Sequence, residues 1–220
     1  MAELVSINSM QNLMDWSWEK AVEGIPGSTS AIELADSYLR SNQTVEEAID
    51  SLIRWQCIKC GTSGFITGLG GLITLPVAVP ANLASTLYIQ MRMIAAVAYM
   101  CNLDIKNDQV QTLGYACLCG ASAGNLIKEA GINVGEKILI SQIKHIPREV
   151  LIQINRKVGI LLITKFGETG IINLSKIVPI LGGVIGGGID ATITRAIGIA
   201  AKNLFYQNDT LKTELIETTL

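Results

Sequence analysis

The sequence predicts an all-α protein without a substantial β-sheet. Apolar residues recur at spacings of three and four along most of its 220 residues, and no run alternates with the period of two that a half-buried strand requires. Glycines number 21 and aromatic residues make up only 5%, so we expect helices that pack closely through small residues rather than around large rings. One domain over residues 1–220 is expected, because a chain of this length usually builds a single core.

The acidic N-terminal part, about residues 1–60, contains two clear helix starts. The stretch "STSAIELADSYL" places Ser30 three residues before Glu33, and "TVEEAIDSLIRW" places Thr44 three residues before Glu47. Each pair fits a capping box, in which a hydroxyl and a carboxylate bind the first backbone N–H groups of a helix. Both stretches are therefore predicted to be amphipathic helices.

An apolar, glycine-rich helical hairpin is predicted over residues 61–101. The stretch "GFITGLGGLITLPVAVPANL" lies in a run without any charged residue from 61 to 91. A later stretch, "VPILGGVIGGGID", shares its small-x-x-x-small spacing, which lets two helix backbones approach closely. We expect these stretches to contact each other, a membrane or a partner. The residues assigned to this contact are Gly64, Gly68, Gly71, Pro76, Pro80, Gly182, Gly183, Gly186 and Gly187.

Further helices are predicted over about residues 107–206, ahead of a polar tail at 207–220. The stretch "NDQVQTLGYACLCGASAGNLIKEAG" is predicted to be one helix, with Asp108 near its start and Gly131 just past its end. The stretch "PREVLIQINRKVGILLITKFG" predicts the next helix, with Pro147 in the first turn, where proline is tolerated.

The glycines do not indicate a phosphate-binding loop. A Walker loop needs a lysine and a hydroxyl residue directly after its last glycine, whereas Gly71 is followed by Leu72 and Ile73. A dinucleotide-binding turn needs a preceding strand and a later acid, but a predicted helix precedes this stretch and the next acid is Asp104. No cofactor is therefore expected.

Length alone would permit a membrane span in the hairpin. A helix over residues 80–101 would be about 33 Å long, enough for a hydrocarbon core of about 30 Å. Arg92 would then lie near the middle of the bilayer, at a cost of about 2.5–3.5 kcal/mol. Other polar residues fall on the same half of the helix, so we expect this side to face protein or water. A helical protein whose apolar hairpin docks on or inserts into a bilayer is favoured over a bundle of ordinary spans.

The net charge is unevenly distributed. Residues 1–53 carry nine acids and two basic residues, a charge of −7, which leaves +5 for the remainder because the whole chain carries −2. Most of the positive charge falls between Lys137 and Lys176. We expect the acidic and basic parts to pair within the fold, and binding of an anionic partner is the alternative. Nucleic acid is not expected, since the basic residues are not interleaved with aromatic ones.

The stretch "GASAG" matches the G-x-S-x-G nucleophile elbow, with Ser122 at the position of the nucleophile. That motif needs a strand-to-helix turn, whereas Ser122 lies in a predicted helix. His145, the only histidine, follows after 23 residues, too few for the sheet of such a hydrolase. We therefore expect no catalytic site and predict that His145 caps a helix or lies at the surface. A serine hydrolase that uses Ser122 and His145 is the alternative.

Two further sets of residues raise the question of a special role. Cys57 with Cys60, and Cys117 with Cys119, are spaced as pairs, but Cys57 and Cys60 lie in a helical pattern, so buried thiols are favoured over a metal site.

Charged residues in strongly apolar surroundings need partners. We expect three such buried charges and an ion pair of the acid with one of the arginines. The three are Arg92, Asp190 and Arg195.

The glycine- and proline-rich blocks also carry a family resemblance. The stretches "GFITGLGGLITLPVAVPANL", "YIQMRMIAAVAY" and "KFGETGIINLSKIVPILGGVIGGGID" resemble the EcsC family of bacterial proteins, over about residues 18–205. The resemblance implies a helical protein, but it does not indicate a particular reaction or cofactor. The sequence departs from the family pattern at "YMCNLD", where similar proteins usually have glycine near Asn102, and this concerns only one helix end.

We therefore expect a non-enzymatic cytoplasmic protein, peripheral at the inner face of the membrane, that associates with lipid or with a membrane protein through the apolar hairpin. A protein that binds an apolar small molecule between the two glycine blocks is a further alternative. The sequence also allows a homo-oligomer.

Overall fold

The computed structural model describes residues 6–61, 81–132, 143–166 and 187–206, without the side chains at 60–61, 81–82, 165–166 and 187–190. Within these residues the chain forms eight α-helices and no strand, which confirms the all-α prediction. The helices are α1 (Ile7–Glu23), α2 (Ala31–Ser41), α3 (Val45–Gly61), α4 (Ala81–Met100), α5 (Asp108–Cys117), α6 (Ala123–Glu129), α7 (Arg148–Phe166) and α8 (Gly187–Phe205).

Both predicted capping boxes are present. The Ser30 hydroxyl accepts the Glu33 N–H at 3.2 Å, and the Glu33 carboxylate accepts the Ser30 N–H at 2.8 Å. Thr44 and Glu47 exchange the same two bonds at 3.1 and 3.2 Å. These pairs satisfy backbone donors that a helix start otherwise leaves to solvent, so α2 and α3 begin where the sequence predicts.

Helix α4 lies at the centre of the fold. Helices α1, α2, α3, α5 and α8 all pack against it, and only Thr86 and Tyr99 are partly exposed between residues 83 and 100. Leu83–Met100 is the one window in the described residues that is long and apolar enough to cross a membrane, with a mean hydropathy of 1.2, and 89% of it is buried inside the protein. This burial identifies α4 as a core helix, so its length is not by itself evidence that it crosses a membrane.

Helices α3 and α8 run antiparallel in close contact. Ile53 of α3 lies against Gly198, where an added Cβ would be 2.8 Å from the Ile53 side chain, and Lys202 of α8 reaches back to Glu46 and Asp50 at 3.0 and 2.8 Å. The last turns of α3 therefore lie beside the first turns of α8. We call this part of the molecule the α3–α8 end.

The predicted single helix from 107 to 131 is wrong, because the chain bends in its middle. Helix α5 starts at an Asn107 cap and stops at Cys117, and a 3₁₀ turn at Gly120–Ser122 leads into α6. Gly120 has a φ of +58°, which an α-helix does not contain, and a Cβ there would be 3.4 Å from Ala196 of α8. The left-handed conformation of Gly120 thus ends the helical run, at a point where the chain contacts α8. Gly131 does follow the last helical residues, with a φ of +85°.

Asn102 ends α4 in a left-handed conformation, with a φ of +58°. The N–H of Leu103 donates to the carbonyl of Ala98 at 3.1 Å, which is the wide bond of a Schellman motif. Glycine is the residue best suited to this conformation, which explains why similar proteins have glycine near this position, and Asn102 ends the helix here in the same left-handed conformation.

Candidate functional site

Arg92 is the one charged residue that the described part of the chain buries almost completely, at 3% exposure. It lies on α4 and reaches the turn between α1 and α2. Its guanidinium donates to the Ser28 hydroxyl and, at 3.1 Å, to the carbonyl of Thr29. The same group lies 5.7 Å from the centre of the Tyr88 ring, a cation–π distance.

The turn that receives Arg92 is fixed by its own sequence. The N–H of Ser28 donates to the carbonyl of Ile25 at 2.9 Å, and Pro26 and Gly27 occupy the middle of the turn, with a Gly27 φ of +79°. Proline followed by a residue of positive φ is typical of a type II turn. Tyr88 also donates to the Ser28 hydroxyl, at 3.1 Å, so Ser28 accepts bonds from two side chains of α4.

The charge of Arg92 acts on two neighbouring ionisable groups. Burial lowers the pKa of Lys59 on α3, and the positive charge of Arg92 lowers it further. Burial raises the pKa of Tyr38 on α2, and the Arg92 charge opposes that rise. Arg92 therefore lies where α2, α3 and α4 converge, and two basic side chains come together beside the last turn of α3.

The expected set of three buried charges is only partly found. Arg195 is exposed, because it lies on the side of α8 away from the buried residues Thr194, Ile197 and Gly198. The side chain of Asp190, and with it the predicted ion pair, lies outside the described residues.

Large apolar side chains lie exposed at the α3–α8 end. Trp55 and Ile58, in the last two turns of α3, are 52% and 50% exposed. They occupy the side of α3 opposite the buried residues Ile49, Leu52 and Ile53. Arg54 of α3 and Arg195 of α8 are exposed at nearly the same level of the helix pair. This end therefore combines apolar and basic surface.

The glycines and prolines predicted to form a contact surface lie mostly outside the described residues. These are Gly64, Gly68, Gly71, Pro76, Pro80, Gly182, Gly183 and Gly186. Gly187 is the first residue of α8, at the end where α3 finishes. Two glycines that do allow close packing were not predicted to do so. They are Gly198, against Ile53, and Gly114, against Trp18.

Ser122 and His145 are exposed and lie in different surroundings. Ser122 closes the 3₁₀ turn before α6, with φ −85° and ψ −7°, and no strand precedes it in the described chain. His145 lies in a turn shortly before α7. No hydrogen bond between the two side chains is found among the described residues, so the geometry of a nucleophile elbow is not assembled.

Cys57, Cys60 and Cys117 lie on helices, and Cys119 lies in the turn that follows α5. Cys117 is fully buried, its thiol donates to the carbonyl of Leu113 at 3.3 Å, and burial raises its pKa. Cys57 and Cys119 are partly buried, and the side chain of Cys60 is not described. In the described ranges no three residues of the metal-binding types come together.

Among the described residues, the acidic N-terminal part forms ion pairs with a lysine outside the basic stretch that was expected to pair with it. Glu46 and Asp50 pair with Lys202, which lies beyond the basic stretch 137–176. Within that stretch Lys157 pairs with Glu129 at 3.1 Å. The other described basic residues of the stretch form no ion pair with described residues and stay exposed. They are Lys144, Arg148 and Arg156.

Two exposed apolar sets were missed in the sequence. Trp55 and Ile58 are three residues apart on the polar side of α3, and a helical wheel would have shown it. The solvent side of α7 carries Ile152, Ile160 and Leu161 at 57%, 43% and 45% exposure. These large aliphatic residues lie among the arginines of the same side.

Comparison with known proteins identifies the family but names no activity. Residues 6–207 match the EcsC protein family, nearly the whole chain. The protein belongs to the EcsC family. No curated protein and no solved structure matches it. Family membership agrees with the resemblance carried by the glycine-rich blocks, and any finer statement about function rests on the chemistry of the surface.

Proposed function

We propose that this EcsC protein is a non-enzymatic protein that binds the cytoplasmic face of a membrane through the α3–α8 end. The observation that carries the proposal is the exposed pair Trp55 and Ile58 at this end, each about half exposed. Tryptophan is enriched where proteins meet the membrane–water interface, because its ring is apolar and its N–H is polar.

The sequence that adjoins this end supports a lipid surface as the partner. The chain continues from Gly61 without a charged residue as far as Met91, and it reaches Gly187 through a stretch, 177–189, that is also uncharged. The end of the helix pair is thus covalently joined to the two most apolar stretches of the sequence.

Exposed arginines add an electrostatic preference for anionic lipid. Arg54 is exposed next to Trp55 in the chain, and Arg195 is exposed at nearly the same level of the helix pair. A basic residue close to an anionic bilayer contributes about 1 kcal/mol. Complete burial of a large apolar side chain contributes about 1.5–3 kcal/mol. Insertion of the exposed halves of Trp55 and Ile58 into the membrane should therefore contribute about 1 kcal/mol of binding free energy each. Replacing both should therefore weaken binding by about 2 kcal/mol, or roughly 30-fold.

Vesicle flotation tests the proposal directly. The full chain is mixed with phosphatidylcholine vesicles or with vesicles that contain phosphatidylglycerol, and the bound fraction is measured at low and high salt. We expect binding to the anionic vesicles, a partial loss of binding in high salt, and a loss of about 30-fold in Trp55→Ser/Ile58→Ser. Arg54→Gln/Arg195→Gln should lose mainly the salt-sensitive part.

Ile7→Ser is the matched control. Ile7 is the first residue of α1 and is also a large aliphatic residue exposed to solvent, at 37%. It should bind like the unmodified protein. The proposal is contradicted if the full chain stays unbound with both kinds of vesicle, or if the α3 double variant floats as well as the control.

A further inference from the structure

The solvent side of α7 forms a ridge in which basic and aliphatic residues alternate. Arg148, Ile152, Arg156 and Ile160 follow one another at intervals of four and therefore lie in one line along the helix. All four are exposed, and neither arginine takes part in an ion pair with a described residue. Lys144 adds a further exposed positive charge before the helix, and Glu149 is the one acid of the ridge.

A groove of the opposite character lies along α1. Its volume is about 420 Å³ and it is open to solvent. Val22 gives it partly exposed apolar surface, and Trp18 and Ile105, each 3% exposed, form its floor. Asp15, Glu19 and Glu23 line it with carboxylates at intervals of four, opposite Lys106. Lys20 pairs with Glu19 and Glu23 at 2.8 and 2.7 Å, so three acids against two lysines leave a net charge of −1.

The ridge and the groove are neighbours on one surface. Residues 7, 11, 15, 19 and 23 form a single line along α1. Helix α7 covers the beginning of this line, since a Cβ at Gly159 would lie 3.9 Å from both Ile7 and Gln11. The groove opens at Asp15, one turn further along. Helix α5 joins the two features, because it packs against α7 and carries Gln111 in the groove lining.

We propose that this surface is the interface of a two-fold homodimer, in which the α7 ridge of each copy lies in the α1 groove of the other. A two-fold interface uses the same patch on both subunits and must therefore be complementary to itself. A basic and aliphatic ridge beside an acidic and apolar groove meets this requirement. Two identical contacts then form, each with Arg156 near the carboxylates and Ile160 near the apolar lining.

A second copy fits the ridge better than a bilayer does. Helices that lie in a membrane interface separate a charged side from an apolar side, whereas Arg156 lies directly between Ile152 and Ile160. Mixed arginine and apolar residues are typical of interfaces between proteins. The membrane contact at the α3–α8 end is a separate surface, because α3 has no substantial contact with α7.

The size of the surface predicts a weak dimer. From Arg148 to Ile160 the ridge is about 18 Å long, which is short for a standard interface of roughly 800 Å² per partner. We therefore expect a dissociation constant in the micromolar range.

Sedimentation velocity on the full chain, over about 1–200 µM and without lipid, tests the proposal by charge reversal. The unmodified chain should form dimers as its concentration rises. Arg156→Glu and Glu19→Lys should each raise the dissociation constant at least about 30-fold, or about 2 kcal/mol. An equimolar mixture of these two variants should dimerise again, because the reversed ridge of one meets the reversed groove of the other while the second contact keeps its native charges.

Ile160→Ser and Ile199→Ser form a matched pair, at 43% and 42% exposure on α7 and α8. Only the first should weaken the dimer, and circular dichroism should show both folded. The proposal is overturned if the chain is monomeric throughout, if dimers persist in Arg156→Glu and Ile160→Ser, or if the mixture of reversed variants stays monomeric.

Discussion

The replacement Gly114→Ala tests the packing of α5 on α1. A Cβ at position 114 would lie 2.4 Å from Cζ3 and 2.8 Å from Cη2 of Trp18, whereas carbon atoms in contact are usually about 3.5–4.0 Å apart. The indole ring would have to move by more than about 1 Å. It is poorly placed to do so, because it is 3% exposed and its Nε1–H donates to the carbonyl of Ile105 at 3.0 Å.

The size of the effect follows from three contributions. Overpacking a core costs about 1–3 kcal/mol, and a displaced indole loses a hydrogen bond of about 1 kcal/mol. Alanine regains about 1 kcal/mol over glycine within a helix. Trp18 also meets the Tyr115 ring edge-on, with centroids 6.1 Å apart, and this contact places the cost in the upper part of the range. We expect Gly114→Ala to lower the free energy of unfolding by about 2–3 kcal/mol.

Urea denaturation followed by far-ultraviolet circular dichroism measures this loss, which corresponds to a midpoint lower by about 1 M urea. Gly124→Ala is the control, because no atom lies within 4 Å of the added methyl group and alanine favours the helix. It should raise stability by up to about 1 kcal/mol. The reasoning is refuted if Gly114→Ala is as stable as the unmodified chain, or if both variants lose stability equally.

Three further predictions concern single residues. Asn102→Gly should raise the free energy of unfolding by up to about 1 kcal/mol, and with it the melting temperature, because residue 102 has a φ of +58° and a left-handed conformation is less costly for glycine; an unchanged melting temperature would contradict this. Burial and the carboxylate of Asp15 raise the pKa of Tyr115. The folded protein therefore keeps the phenolic proton at pH values above about 10, where the unfolded chain loses it. The free energy of unfolding should fall as the pH rises beyond that value. Urea unfolding between pH 8 and 11 should show this fall, reduced in Tyr115→Phe, and an equal slope in both proteins would argue against it. Gln56 is fully buried, and neither of its amide atoms is hydrogen-bonded within the described part of the chain. Gln56→Met should therefore stabilise the protein by about 1–3 kcal/mol, and a loss of stability in the same urea experiment would refute it.

Local chemistry made much of the fold predictable from the sequence. The Ser30 and Thr44 caps lie within four residues of their partners, so their bonds could be inferred without any tertiary contact. The break at Gly120 could not, because glycine in a helical pattern is compatible with both a helix and a bend, and the local sequence does not decide between them. The bend places Gly120 in contact with Ala196, 76 residues later in the chain.

The candidate site was less predictable, for the same reason. The burial of Arg92 followed from its apolar neighbours in the sequence, but its bonds to Ser28 and Thr29 join residues more than 60 positions apart. Arg195 has similar apolar neighbours and is exposed, because position on the helix, not average hydropathy, decides burial. The ridge on α7 and the groove on α1 gain their complementarity from the packing of α7 on α1, which no local pattern encodes.

Helix α4 is buried by helices that precede it and by helices that follow it in the chain, so it is only partly covered while the protein is being synthesised. Helices α1, α2 and α3 precede it, but the side that meets α8 stays uncovered until Phe205, which follows Met100 by 105 residues. At about 5–20 residues per second, a ribosome needs roughly 5–20 s to make that length of chain. Throughout this interval the apolar side of α4 that later meets α8 is available to chaperones and to nearby bilayers, so the synthesis of α8 sets how long the newborn chain is prone to aggregate.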